Sequence, residues 1–424
     1  MDSEYAVALV GHAASPREAF ELFQQCASLL QDYKFVIRGA LGTQPSHAFD
    51  RTFAHGAGVH TLFAGMPVLV LDQRITREML EGQAQFHFDY SIALDTQAVS
   101  YLHPCTRGRD PAISNPDLKE VFELIARPDV SVDPLPYLLE NVDQIGISPK
   151  IDAKILEKLR AYEVLKTIDS SALENGDIRS THPDAEVDQR AAKLMESMKS
   201  MTTPAGGIKS LAMQYQYFHS CLLAIVDAHF DTSLDPHEKL LSFAAFCDQE
   251  LSSMAGREMQ LAHWLFNSRE LPEFFRKLKE MDIKSIRNMS WDLFHLRQME
   301  QRYTLTHTPG ADFFFPAILT FDKALREVID LHPLRAIAWS TRDREPIPFY
   351  DRDPLQLMFV SPQEAGDFTD RFYSDLARQL RASRIAESRN GISATVRRWE
   401  RRLHERYGFT PGRERALATY PFGW

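Results

Sequence analysis

Two apolar runs in this chain stop on an aspartate and pass at once into a helical pattern: Ile92-Ala93-Leu94-Asp95-Thr96 and, far downstream, Ile318-Leu319-Thr320-Phe321-Asp322. In a parallel sheet the carboxyl ends of the strands open on one edge, where ligands bind, so Asp95 and Asp322 could face each other across a cleft. Glu140, in the first turn of a helix opened by Pro136, and Asp292, beside the apolar stripe of a further helix, bring the set to four. Clustered carboxylates repel one another and raise their own pKa values, so such a group is stable only with a cation. Hard oxygen ligands suit Mg²⁺ or Mn²⁺. An ion of that kind activates water and stabilises the leaving oxygen of a phosphodiester. The chemistry expected of Asp95, Glu140, Asp292 and Asp322 is therefore metal-dependent phosphodiester hydrolysis.

Each acid also has a structural explanation. Aspartate after a strand is a favoured helix N-cap, which accounts for Asp95 and Asp322 without any ion. Asp292 could serve the helix dipole, and Glu140 has rivals nearby in Glu120, Glu123 and Asp143. Asp89 is excluded as a partner of Asp95, because six residues along a strand span roughly 20 Å. Asp72 ends an apolar run as well, but it lacks the Asp-Thr context. His219 and Asp227, on one helix, lie roughly 12 Å apart along its axis and cannot share an ion, and His229 and Asp231 lie further on. Gly56, Gly58 and Gly65 make no phosphate loop, since no Lys-Ser/Thr follows. Phe313-Phe314-Phe315 suits a core better than a base-stacking platform.

The elements that must position these residues are readable in outline. Phe86, Phe88, Tyr90, Ile92 and Leu94 alternate as a strand, and 96–102 continues as helix. Further helices are expected at 16–31, 74–82, 117–126, from about 137, and at 151–165, 185–201, 208–230, 236–254, 271–279, 285–302 and 323–331, with a break at Pro204-Ala205-Gly206-Gly207. Strands are expected at 66–71, 313–321 and 334–339.

Composition bounds the function class. At 424 residues the chain has room for two or three domains, and no apolar run reaches a membrane-spanning length. The N-terminus MDSEYAVALVGHAAS starts acidic, without the basic region of a secretory signal. Cys26, Cys105, Cys221 and Cys247 are scattered, with no zinc spacing. A cytoplasmic protein with no membrane partner is the expectation. Charge is uneven. Residues 371–424 hold twelve Arg, no Lys and five acids, a segment of +7 in a chain of net −10. Arginine interleaved with Trp399 and Tyr407 suits phosphates and exposed bases, or else a helix docked on an acidic body.

In order and context the four acids resemble those of the PIN-like nuclease superfamily. Leu94-Asp95-Thr96 matches its strand-Asp-Thr, Glu140 its helical glutamate, Trp291-Asp292-Leu293 its third acid, and Thr320-Phe321-Asp322-Lys323 its Thr-x-Asp. The resemblance covers 86–145 and 285–340. It implies an α/β fold: a small parallel PIN-like sheet flanked by helices. Residues 1–85 would be a mainly helical N-terminal extension, 86–145 and 285–345 the two parts of the PIN-like domain, 146–284 a helical insertion and 346–424 an Arg-rich C-terminal extension. It further implies a metal-dependent endoribonuclease, of toxin or defence type, holding Mg²⁺ or Mn²⁺ on Asp95, Glu140, Asp292 and Asp322 and leaving a 5′-phosphate. Thr96, Thr320, Lys323, Arg397, Arg398 and Arg401 are the expected substrate contacts. RNA, an antitoxin or defence-system protein and a second copy of the chain are the expected partners. The alternative is a non-catalytic α-rich interaction protein whose Arg-rich end docks a partner or nucleic acid.

Overall fold

The structure, a computed structural model, describes residues 2–39, 50–85, 87–201, 208–305, 310–351, 358–359 and 361–411. Phe86, Pro204-Ala205-Gly206-Gly207 and the tail beyond residue 411 lie outside the described residues. The protein is mixed α/β and divides into two compact units, each built from two stretches of chain: 1–200 with 296–351, and 201–295 with 352–424. No helix among the described residues is long and apolar enough to cross a membrane.

The first unit contains α1 (Ser3–Gly11), α2 (Pro16–Gln25), β1 (Tyr33–Arg38), β2 (Arg51–Thr52), β3 (Gly58–His60), β4 (Val68–Leu71), α3 (Gln73–Leu80) and β5 (Phe88–Leu94). It continues through α4 (Thr96–Leu102), α5 (Pro111–Ser114), α6 (Leu118–Ile125), β6 (Val130–Asp133), α7 (Leu135–Asn141), α8 (Pro149–Lys166) and α9 (Ser170–Glu174) to α10 (Asp184–Met201), which ends at the boundary. The second unit has α11 (Ile208–Phe230), α12 (Pro236–Gln249), α13 (Gly256–Asn267) and the start of α14 (Ile283–Arg302), whose last turns return to the first unit. There follow β7 (Phe313–Thr320), α15 (Lys323–Leu331), β8 (Leu334–Ser340) and β9 (Pro346–Tyr350), and then α16 (Pro362–Tyr373) and α17 (Asp375–Tyr407) in the second unit.

Helix starts follow local chemistry. Ser15, Asp72, Asp95, Ser148 and Asp322 each accept an amide of the first turn, and Asp235–Glu238 and Ser361–Glu364 form reciprocal capping boxes. The stretch 273–280, expected as α-helix, is 3₁₀.

Two sheets form the first unit. One is antiparallel throughout, in the order β4-β1-β8-β9. One of its faces is covered by α1, α2 and the turn after them, through Val7, Val10, Phe23 and Leu30 against Phe35, Ile37, Leu71 and Ala338, all buried. The other sheet runs β2-β3-β7-β5-β6. Here β5 lies parallel to both β6 and β7, while the β2–β3 hairpin adds antiparallel to β7, so the sheet is mixed.

Three expectations need correction. Residues 1–85 are no helical extension: they supply four strands, one sheet partner to β7 and two to the antiparallel sheet. β4 is the strand expected at 66–71, while β1, β2 and β3 are short or flanked by charge, so alternation does not expose them. α8 to α10 pack within the first unit, and the C-terminal helices share a unit with 201–295. The four-residue strand β6, hemmed in by Pro128 and Pro134, is not among the strands expected at 66–71, 86–94, 313–321 and 334–339.

Candidate active site

Every parallel strand has an acid at its carboxyl end. Asp95 follows β5, Asp133 closes β6, and Asp322 lies just beyond β7. Leu94 pairs with Leu319, so the residues that follow leave the sheet side by side. Asp95 caps α4, its Oδ1 accepting the Ala98 amide at 2.6 Å. Asp322 caps α15, accepting from the Ala324 amide at 2.9 Å, and its own amide donates to Thr320 Oγ1 at 3.0 Å. Asp133 is occupied otherwise: it accepts the Leu135 amide at 2.8 Å and ion-pairs with Arg302.

Asp95 is the anomalous member. Burial, and then the charges of Glu140 and Asp322, push its carboxyl up to about 7, against the amides of Ala98 and Gln97, which favour the anion. Glu140 and Asp322 are thus near enough to oppose the ionisation of Asp95. Glu140 comes from α7, whose Tyr137 and Leu139 are buried; the same charge, second to burial, raises the Tyr137 phenol. Next to Glu140 in sequence, Asn141 Nδ2 donates to Thr96 Oγ1 at 3.1 Å and ties α7 to the first turn of α4. Asp292 lies on α14 within the second unit.

A cation in this region went unnoticed in the sequence. Lys158 of α8 donates to Ser100 Oγ at 2.9 Å and stands 5.4 Å from the centre of the Tyr137 ring. Burial lowers its pKa while the charge of Glu140 raises it. Only its position beside the apolar stripe Ile155, Leu159, Tyr162 hinted at partial burial.

On the β3 side of β7 a cleft of about 680 Å³ opens, lined by Thr52, His55, His60, Thr320, Asp322 and Lys323 among others. Lys323 is exposed and makes no ion pair among the described residues. The hairpin turn over the cleft is clamped by Asp117, which is 1 % exposed and accepts the amides of His55 at 2.9 Å and Ala57 at 3.0 Å. Gly56, between them, has φ +102°, open to glycine and strained for other residues.

Below the turn, Asp50 Oδ2 accepts the Thr61 amide at 2.9 Å, Thr61 Oγ1 at 3.1 Å and the Gly65 amide at 2.9 Å, and its Oδ1 lies 3.0 Å from His60 Nδ1. A Cβ on Gly58 would stand 2.2 Å from His60 Nε2, so this glycine makes room for the imidazole. His60, Asp50 and Asp117 went unread in the sequence. The one available signal was Gly58 and His60 on the same face of a short strand.

The donor chemistry of Asp95, Glu140 and Asp322 is all oxygen, as a hard divalent ion requires. Among the described residues no three His, Cys, Asp or Glu side chains converge closely enough to hold a metal ion. Two of the acids here turn towards the helices they cap.

In the second unit the arginines of α17 are largely spent on its own acids. Arg381 and Arg384 pair with Asp248, Arg398 with Glu250, and Arg402 and Arg406 with Asp227. Of the expected substrate contacts, Arg397 and Arg401 are exposed without an ion pair among the described residues. His219 is fully buried between Ser290 Oγ at 2.9 Å and Glu400 Oε1 at 2.8 Å, a packing role. The four cysteines are buried. Comparison of the chain with protein-family models, with curated proteins and with solved structures found no match.

Proposed function

We propose that the protein is a metal-dependent phosphodiesterase acting on RNA, with its site at the carboxyl edge of β5 and β7. The single observation that carries this reading is Asp95, whose carboxyl is held near pH 7 by burial and by two further acids. An energetically unfavourable cluster of this kind is a marker of function, and a divalent ion is the simplest species that relieves it. The parallel strands β6-β5-β7 with their helices would then be a PIN-like core, to which the β2–β3 hairpin and the antiparallel sheet are additions.

Bound Mg²⁺ or Mn²⁺ would supply charge neutralisation and polarisation of water and phosphate. Asp95, Glu140 and Asp322 would have to draw together to hold it, since no three such side chains converge on an ion site among the described residues. Lys158 balances Glu140 when the site is empty of substrate. Lys323, at the open mouth, attracts a phosphate oxygen, and the hydroxyls of Thr96 and Thr320 border the scissile group. Hydrolysis would leave a 5′-phosphate.

The test is a cleavage assay on mixed RNA and DNA with Mg²⁺ or Mn²⁺. The wild type is expected to cut RNA, and Asp95→Asn and Asp322→Asn to remain folded and lose cleavage. Metal is also expected to stabilise the wild type, on the order of 2–3 kcal/mol at a hundredfold excess over Kd, and Asp95→Asn much less. Full activity in both variants, or a melting curve unmoved by millimolar metal, ends this reading. The complete caps at Asp95 and Asp322 favour a second reading, a non-catalytic interaction protein that docks a partner through Arg397 and Arg401. Partner capture without cleavage would select it.

A further inference from the structure

We infer that His60, oriented by Asp50, is the general base for the phosphodiester hydrolysis proposed above, on which this inference rests. Hydrogen-bond capacity fixes the tautomer of the ring. Asp50 Oδ2 already takes three donors, and Oδ1 faces His60 Nδ1 at 3.0 Å. A carboxylate only accepts, so Nδ1 carries the hydrogen and the neutral ring keeps its lone pair on Nε2.

Position follows from the sheet. Nε2 lies over Gly58, and Gly58 is the strand partner of Thr320. His60, Thr320, Asp322 and Lys323 line one cleft. His60 is itself 5 % exposed, and Nε2 has no hydrogen-bond partner among the described residues. A buried ring that lines the cleft holding Asp322 has thus been fixed in one tautomer, with Nε2 over a glycine. Behind the pair stands Tyr303, buried, whose phenol is raised by burial and then by the charges of Asp50 and Glu300, so it contributes no second base.

In the step assigned to His60, a water oxygen forms its bond to phosphorus while its proton passes to Nε2. The bond from phosphorus to O3′ breaks, its electron pair leaves on O3′, and solvent protonates that oxygen. The substrate is a phosphodiester, with Lys323 on a non-bridging oxygen.

The experiment compares wild type, Asp95→Asn, His60→Ala and His60→Asn on a short single-stranded RNA in Mg²⁺, with melting curves for each. Asparagine places an amide nitrogen near the position of Nδ1, so it keeps the bond to Asp50 and removes only Nε2. Both His60 variants are expected to lose about 10²-fold or more in kcat with KM unchanged, and added imidazole to restore part of the rate in His60→Ala. His60→Asn with kcat within a few-fold of wild type would make the imidazole structural and overturn the inference, leaving the phosphodiesterase reading intact. A wild type that does not cleave, or an Asp95→Asn variant that does, overturns the underlying reading and the inference with it.

Discussion

A carboxyl group held near 7 makes Asp95 a reporter of its own surroundings. In an unfolded chain it titrates near 3.9, whereas in the fold it titrates at about 7. Between those values the folded protein holds a proton that the unfolded chain has released. The contribution of Asp95 to stability is therefore complete below about pH 4 and lost as pH rises through about 7, a swing of roughly 4 kcal/mol at most. Asparagine caps a helix as well as aspartate does and carries no charge. Asp95→Asn is accordingly expected to match the wild type at about pH 4 and to exceed it increasingly towards about pH 8 in urea titrations. A difference that does not change with pH would show that no cluster opposes the ionisation of Asp95. The sequence exposed this residue because a strand followed by Asp-Thr is a local signal. His60, Asp50 and Lys158 carry no such signal, since each acquires its meaning from a partner on another element.

Among the elements, the β2–β3 hairpin depends most on a distant residue. Its strands are two and three residues long, too short to hold a register by side-chain pattern. Asp117, at the start of α6, holds the turn by its two amides. Asp117→Ala is expected to cost about 1–3 kcal/mol, to raise hydrogen exchange selectively at the amides of His55 and Ala57, and to weaken substrate binding in the cleft. Unchanged protection at those two amides would mean that the turn holds itself. β5, α4, β7 and α15 were legible because alternation, a capping aspartate and helical spacing succeed one another within a dozen residues. β2 and β3 were not, because long-range pairing to β7 creates them. β6 hid behind its prolines. α8 was legible as a helix and misplaced as an insertion, since sequence periodicity shows that a face is buried and not what buries it.

For the molecule as a whole, the uneven charge is largely resolved within the second unit. Asp227 is 7 % exposed, while Arg402 and Arg406 are 45 % and 40 % exposed. The pair is therefore asymmetric. Arg402→Ala with Arg406→Ala strands a buried carboxylate and is expected to cost about 3–5 kcal/mol, whereas Asp227→Ala returns two arginines to water and should cost only about 1 kcal/mol. Chemical denaturation of the two variants checks the order, and equal losses would mean that packing of α17 dominates over charge. Deleting everything after Asp370 would remove this helix along with any RNA contact, so Arg397 and Arg401 are the cleaner positions at which to ask whether the protein holds nucleic acid. Strand order carries a last consequence, for synthesis. β1 finds one neighbour at Val68–Leu71 but the other only at Leu334–Ser340, and β5 waits for Phe313–Thr320. At roughly 5–20 residues per second, a ribosome needs about 15–60 s to travel from the first strand to its late partner. For most of that interval Asp95 and His60 exist in a nascent chain that has no Asp322 and no cleft. A hydrolase of cellular RNA built in this way would stay inert beside the message that encodes it until β7, Asp322 and β8 had been translated.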